Sequence, residues 1–464
     1  MGLIIKNARI YEDRKLSSMK SILIEGNKII KISHNFSDED EHKILDISGR
    51  IIIPGLIDCH THLYQTFGRG LMDDLHITKW LEVIWQFPHF FSEEALYYST
   101  LLGAMEAIKS GTTAVGELLG ESADEPIIQG LMDSGIRVVV GKMENDYPEG
   151  ENTPVKSTQD CLDDSKQFFN RWQGKYNGRL KVKFSFAGLP ACTNSLIINL
   201  IKLAKEYGVG IHTHAAEGQE PTNQVRKRFN KGEISALNYL GALGPATQLA
   251  HVIWIDDEEI KLLAQTGTSV IHCPYTNCKV TDGISPMYKM QKAGVNITIG
   301  CDGGASSSNY DILLEARLGS MLQKVSSMDE KTFNAPSVYD MLTINGARAL
   351  NLEDEIGRIK EGHKADMIVL EYPTSKILSE DVFINNFIYS CSGNEVVRDV
   401  IIDGQLIVNN HKFVYIDEDN ILNKAKEIFL KEKGRLSSFI EGYRPNLASL
   451  IPRDRRCHPP PSPW

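Results

Sequence analysis

The sequence predicts an α/β chain: a (β/α)8 TIM-like barrel carrying a small β-sandwich built from both chain ends. Three observations predict it. Eight short apolar runs between residues 54 and 354 each lead into a helical stretch of about ten to twenty residues, the arithmetic of a (β/α)8 barrel. The two ends of the chain, 1–53 and 355–415, share another texture, short strands broken by Asn and Gly turns. Polar residues gather where the eight runs end, the rim at which a barrel keeps its reacting groups. A doubly wound open sheet is the alternative.

Taken in order, Leu3-Ile4-Ile5, Ala8-Arg9-Ile10, Ser21-Ile22-Leu23-Ile24 and Lys28-Ile29-Ile30-Lys31-Ile32 read as the N-terminal strands. The barrel runs are 55–58, 112–115, 137–140, 181–186, 209–212, 249–253, 268–271 and 296–299. Beyond residue 354, Ala365-Asp366-Met367-Ile368-Val369-Leu370 and Val396–402 return to short strands, closed by the turn dipeptide Asp403-Gly404. The domains are therefore 1–53 plus 355–415, a composite sandwich; 54–354, the barrel; and 416–448, a helical segment. That segment carries Ile421, Leu422, Ala425, Ile428, Phe429 and Leu430, which pack on a neighbour or on the chain's own barrel. Residues 449–464, rich in Arg and Pro, read as a disordered tail or a cloning remnant.

Composition narrows the function. Lys plus Arg number 50 against 60 Asp plus Glu, a formal charge of -10, which argues against binding a phosphate backbone. Hydrophobic residues are 42% and charged residues 24%, ordinary for a soluble globular protein. No apolar run approaches the ~18 residues of a membrane span. Residues 1–10 read as a strand, not a signal peptide, and Lys6 stands where a myristoylation signal needs Ser or Thr. Eight cysteines without a Cys-x-x-Cys pair read as reduced thiols in a cytoplasm. The expected partner is a small molecule, with no nucleic acid and no membrane.

The rim holds the chemistry. The first run ends in Asp58-Cys59-His60-Thr61-His62 and the fifth in His212-Thr213-His214-Ala215-Ala216-Glu217; the sixth carries His251, the seventh His272, the eighth Asp302. His-x-His on a strand turns both imidazoles to one face, since side chains repeat every two residues. His60 and His62 can grip an ion that another His and a carboxylate complete, a set suited to Zn2+ or Fe2+. Such an ion lowers the pKa of a bound water from about 15.7 toward 7. Gly-rich dinucleotide and Walker loops, a Gly-x-Ser-x-Gly elbow and the Pro-Cys-x-x-Cys deaminase signature are not found.

Five segments carry a resemblance: Pro54-Gly55-Leu56-Ile57-Asp58-Cys59-His60-Thr61-His62, His214-Ala215-Ala216-Glu217, Leu249-Ala250-His251, His272-Cys273-Pro274-Tyr275-Thr276-Asn277 and Gly300-Cys301-Asp302-Gly303. With them the chain resembles the amidohydrolase superfamily. Asp73-Asp74 before Trp80-Leu81, and Gly111-Thr112-Thr113, make it most similar to the S-adenosylhomocysteine, methylthioadenosine, guanine and triazine aminohydrolases. The resemblance implies His60, His62, His214 and Asp302 as metal ligands and a homo-oligomer. Dinuclear members use a carbamylated Lys ending the fourth strand, where this chain has Phe184-Ser185-Phe186-Ala187-Gly188, so it implies one divalent ion, Zn2+ before Fe2+. Glu217 would shuttle protons to a ring nitrogen, His251 would hold the attacking hydroxide or the substrate, and Asp302 would take the water's proton. His212 would lie deeper, packed or acting through a ligand.

The substrate is less defined. Nucleoside-type members keep a His near Cys192 and an acidic residue in the loop after the Trp, where this chain has Leu189-Pro190-Ala191-Cys192-Thr193 and Trp85-Gln86-Phe87-Pro88-His89. These departures put a free amino-heterocycle (oxopurine, pterin or triazine) ahead of an adenosine-type nucleoside. The expected substrate contacts are Gln65, Trp85, His272, Glu117 and Cys192, with Trp80 and Glu144 packing or contributing. A chloro-, thio- or cyclic-amide hydrolase, and a binding protein with a dead site, are further alternatives.

Overall fold

The computed structural model describes residues 2–36, 42–75, 77–120, 124–148, 154–372 and 379–442. The tail expected at 449–464, and 443–448 of the helical segment, lie outside the described residues. The N-terminal part forms β1 (Leu3–Glu12), β2 (Lys15–Glu25), β3 (Lys28–Ser33), β4 (Lys43–Asp46) and β5 (Ile51–Pro54). The barrel strands follow: β6 (Leu56–His62), β7 (Thr112–Leu119), β8 (Arg137–Glu144), β9 (Leu180–Val182), β10 (Phe184–Phe186), β11 (Ile211–Ala215), β12 (Thr247–His251), β13 (Ser269–His272), β14 (Ile297–Ile299) and β15 (Asp302–Gly303). The chain returns to the first sheet with β16 (Met367–Leu370), β17 (Val397–Ile402), β18 (Gln405–Asn409) and β19 (Lys412–Phe413).

The barrel sheet runs β14-β13-β12-β11-β10-β8-β7-β6-β15, every pairing parallel. All eight expected runs form strands, the fourth split by Lys183 into β9 and β10. The last strand is interrupted: β14 pairs β13, then β15 pairs β6, setting Asp302 opposite Thr61. Asp58 stitches this seam, its Oδ1 accepting from the amides of Cys301 at 3.1 Å and His60 at 3.3 Å. An expected strand terminus thus becomes the residue that holds the barrel shut beneath the first two histidines.

The two ends of the chain build one nine-stranded sheet, ordered β19-β18-β17-β16-β5-β1-β2-β3 with β4 beside β1. Period-two alternation divides its faces. Ile52, Met367, Val369 and Ile401 enter a core of the sheet's own, with Ile5, Ile22 and Ile24. Their neighbours Ile53, Ile368, Leu370, Val400 and Ile402 enter the barrel's core instead. One strand set therefore seals the small unit and glues it to the barrel. Arg137, at the foot of β8, pins the join: it grips Asp366 at 2.5 and 2.9 Å and Asp403 at 2.7 Å. Such a forked, buried pairing is strong only while every member is present.

The helix Glu418–Glu441 packs on the chain's own barrel. Asp417 caps it, accepting from Asn420 N. Ala425, Ile428, Leu436 and Ile440 are buried, Phe429 meets Phe67 at 5.3 Å and Phe439 meets Phe90 at 4.9 Å between ring centres. Leu422 and Leu430 face solvent. Among the described residues no helix is long and apolar enough to cross a membrane.

Candidate active site

Parallel register decides which side chains meet. Asp302 lies opposite Thr61, so its carboxyl falls between His60 and His62; His214 lies opposite Ala250 and Ala215 opposite His251. Each imidazole is then fixed from behind. The Nδ1 of His62 bonds Leu118 O at 2.8 Å, that of His214 bonds Ala187 O at 2.8 Å, that of His251 bonds Asn277 Oδ1 at 2.9 Å, and that of His60 meets His212 Nε2 at 3.0 Å. A carbonyl or amide oxygen behind Nδ1 makes that nitrogen the donor and leaves Nε2 with a bare lone pair. His60 Nε2 is buried without a hydrogen-bond partner, and the Nε2 atoms of His60 and His62 both stand 3.4 Å from Asp302 Oδ1.

Ligand atoms of His60, His62 and Asp302, and those of His60, His214 and His251, lie within 4.8 Å of one another. Nitrogen lone pairs and a carboxylate converging in a buried space fit a divalent transition ion. The backs of the ligands are held as metal ligands are commonly held, by a second layer of acceptors. Electrostatics agrees with this chemistry. Burial drives His60 and His62 below the usual imidazole range and His214 down to about 4, so the rings are neutral and able to ligate. Burial opposes the charge of Asp302, yet the close approach of His60, with His62 and His251 around it, holds its carboxyl well below the usual range.

The backbone here is strained. Ala216, His251, Val252 and Asp302 have φ of 49, 71, 48 and 64°. Left-handed backbone is costly for a β-branched residue such as Val252. Val252 N bonds Ala215 O at 3.0 Å and Ile253 N bonds Ala216 O at 2.9 Å, which fixes the turns that aim His251 and Glu217 inward. His251 Nε2 and Glu217 Oε1 stand 3.5 Å apart.

A cavity of about 960 Å3, open to solvent, rises from this group. Its wall includes Gln65, Trp80, Trp85, Glu217 and Glu233 beside the metal group. Trp80 is both wall and packing, being 9% exposed. Gln65 Oε1 is buried without a partner and lies against Gly303, where a Cβ would come within 1.9 Å. Only glycine permits that approach.

Three expected substrate contacts do not reach the cavity wall. Glu117 turns to the segment after β6, accepting from Thr61 Oγ1 at 2.5 Å and Leu63 N at 2.9 Å, and burial pushes it up to about 8. It braces the His-x-His strand end. Cys192 is fully buried with Sγ toward Glu144 O at 3.4 Å, while its neighbour Ala191 lines the cavity. His272 packs under the helix Ile312–Ser327, where a Cβ on Gly319 would stand 3.1 Å from its ring. Its two nitrogens have no partner, and burial drives it down to about 3. Glu144 is buried near Lys156, 4.0 Å away, and does not line the cavity.

Sequence reasoning missed four residues. Asn277 stands in a quoted motif, but only the fold brings it behind His251. Glu233 enters the wall from a short helix far along the chain. Asp58 ends the first apolar run, and nothing in the sequence shows that it closes the barrel seam. Asp282 is buried with Oδ2 unpartnered, and burial, helped by Glu217 and Asp302, pushes it up to about 9.

The Amidohydrolase family pattern matches residues 51–407. The chain is 36% identical over 437 residues to the 5-methylthioadenosine/S-adenosylhomocysteine deaminase of Carboxydothermus hydrogenoformans, covering 93% of this chain and 98% of that one. It is 32% identical over 431 residues to a 5'-deoxyadenosine deaminase of Methanosarcina acetivorans, covering 91% and 96%. Among solved structures it superposes on a zinc-bound adenosine deaminase of Xanthomonas campestris (TM-score 0.84, 22% identity, 93% and 98% covered). It also superposes on a guanine deaminase of C. acetobutylicum (TM-score 0.77, 23% identity, 88% and 100% covered). The matched span takes in the His60–His62 strand end, His214, His251, Asp302 and the sheet strands β5, β16 and β17, and the chain belongs to the amidohydrolase family.

Proposed function

We propose that this hydrolase of non-peptide carbon–nitrogen bonds deaminates an adenosine-type nucleoside, with one divalent ion, Zn2+, held by His60, His62, His214 and Asp302. The observation that carries deamination is the convergence of unprotonated Nε2 atoms and Asp302 on a cavity that also holds Glu217 beside His251. Full-length kinship to proteins named for 5-methylthioadenosine and 5'-deoxyadenosine deamination supports the nucleoside over the free heterocycle that the sequence put first. The missing His near Cys192 was a weak guide, since Cys192 itself stands behind the wall.

When bound, the ion supplies a water activated at neutral pH. Asp302 would take a proton from the attacking water and later deliver one to the departing amine. Glu217, one quarter exposed, gives a proton to the ring nitrogen beside the amino-bearing carbon, so the ring accepts electrons without becoming an anion, and it regains a proton from the added hydroxyl as the carbonyl forms. His251, its Nδ1 tied to Asn277, offers Nε2 to the attacking oxygen. Trp85 in the wall stacks on a flat ring. Water adds, ammonia leaves, and the product is the inosine analogue.

Incubation of metal-loaded protein with 5'-methylthioadenosine should give the inosine analogue and equimolar ammonia. Ammonia from guanine or a pterin, with none from nucleosides, would overturn the reading. That free base is the second reading, favoured by Gln65, whose unpartnered buried Oε1 suits a lactam N–H.

A further inference from the structure

Two segments hold the reacting groups from behind. The short helix Pro274–Lys279, after β13, carries Asn277, whose Oδ1 bonds His251 Nδ1 at 2.9 Å. The segment after β15 carries Ser306, whose hydroxyl lies 3.2 Å from Asp302 Oδ2 and 3.1 Å from Gly303 O. Asp302 itself has a φ of 64°, a backbone that persists where its surroundings fix it.

Glu315, on the helix Ile312–Ser327, is fully buried and bonds both segments. Its Oε2 accepts from Tyr275 N at 3.1 Å and its Oε1 from Ser307 Oγ at 2.8 Å. Tyr275 N is a first-turn donor that a helix cannot satisfy internally, and Cys273, at the cap position, makes no side-chain bond to that turn. The Glu315 carboxyl stands in for the missing cap. One turn further along, Gly319 lets the same helix settle on the ring of His272, where a Cβ would stand at 3.1 Å. Two more links join the segments: Thr276 Oγ1 donates to Ser306 Oγ at 3.0 Å, and Lys279 Nζ to Ser308 Oγ at 2.5 Å.

We propose that Glu315 is a positioning residue for the deamination: by tying the Asn277 segment to the Ser306 segment, it sets His251 and Asp302 relative to one another. The mechanism above brings both groups to one attacking oxygen, and a misplacement of about 1 Å at such a site can cost about 10²-fold in rate. The inference rests on the deaminase reading, not on which amino compound is the substrate.

The test is steady-state kinetics of Glu315→Ala and Glu315→Gln on 5'-methylthioadenosine, or on guanine if wild type acts on that instead. Metal content and thermal midpoint are recorded on the same samples. Ala removes both links, whereas Gln keeps them, its amide oxygen facing Tyr275 N and its amide nitrogen donating to Ser307 Oγ. Glu315→Ala should lose about 10–100-fold in kcat with KM within about twofold and metal content unchanged, and Glu315→Gln should recover most of that loss. Ser307→Ala cuts one link alone and serves where Glu315→Ala does not fold; it should lose about 3–10-fold in kcat. Wild-type kcat in folded Glu315→Ala, even with a lowered thermal midpoint, overturns the proposal. So does a Gln variant no better than the Ala variant, and so does wild-type kcat in Ser307→Ala. No ammonia from either compound in wild type, seen before any substitution is made, refutes the deaminase reading and this inference together.

Discussion

Replacing Asn277 with Ala isolates the arrangement behind the metal group. Asn277 is 1% exposed and its Oδ1 is the acceptor for His251 Nδ1, 2.9 Å away. The Ala variant leaves a buried N–H without a partner, a loss of about 1–3 kcal/mol. At about 1.4 kcal/mol per factor of ten, that corresponds to roughly 10–100-fold in kcat/KM. The loss should fall on kcat, because the proposed mechanism places His251 at the reacting atoms and leaves the apolar wall of the cavity intact. Steady-state kinetics on 5'-methylthioadenosine, with metal content and thermal midpoint recorded on the same samples, measures it. Asn277→Asp keeps an acceptor behind Nδ1 and should recover part of the lost rate. Wild-type kcat in a folded Ala variant would refute the reasoning. So would an Asp variant no better than the Ala variant.

Glu217→Gln should lower kcat about 10²–10⁴-fold with metal content unchanged, the usual weight of general acid–base catalysis; retained activity contradicts the proton shuttle. Removing the metal with a chelator should abolish ammonia release and restoring Zn2+ should bring it back; activity in metal-free protein contradicts the site. Arg137→Met should destabilise the chain by about 3–5 kcal/mol in a denaturant titration, because Asp366 keeps a buried charge without its fork; an unchanged midpoint contradicts the clamp between barrel and sheet. Glu144 is pushed up to about 7 by burial, above the 4.5 of an unperturbed Glu, so the folded state holds its proton more tightly than the unfolded state. Its contribution to stability is therefore fully present below about pH 4.5 and is lost as pH rises to about 7. Glu144→Gln should remove that loss, flattening stability against pH over this window. A slope equal to wild type contradicts it.

The eight barrel runs were legible because buried parallel strands read as short apolar blocks, and the rim because parallel strands end together. His60, His62, His214 and Asp302 followed from strand periodicity and from the resemblance. Glu117 lies near the end of β7 and His272 ends β13, yet one braces the turn after β6 and the other lies under a helix. Being at a strand end sets the level of a residue in the barrel, while the packing around it sets where the side chain turns. Glu233 and Asn277 could not be placed from sequence, because each reaches the site through loops whose paths depend on the whole fold. The composite sheet was legible as texture, but the alternation of Ile52 with Ile53, one inward to each core, gained its meaning only from the pairing of β5 with β1 and β16.

The proposed activity is that of a one-ion nucleoside deaminase. Metal-free protein titrated with Zn2+ and assayed for ammonia release from 5'-methylthioadenosine tests it most directly. Activity should rise in proportion to added metal and level at one equivalent per chain. Levelling at two equivalents, or full metal uptake with no ammonia released, would contradict it.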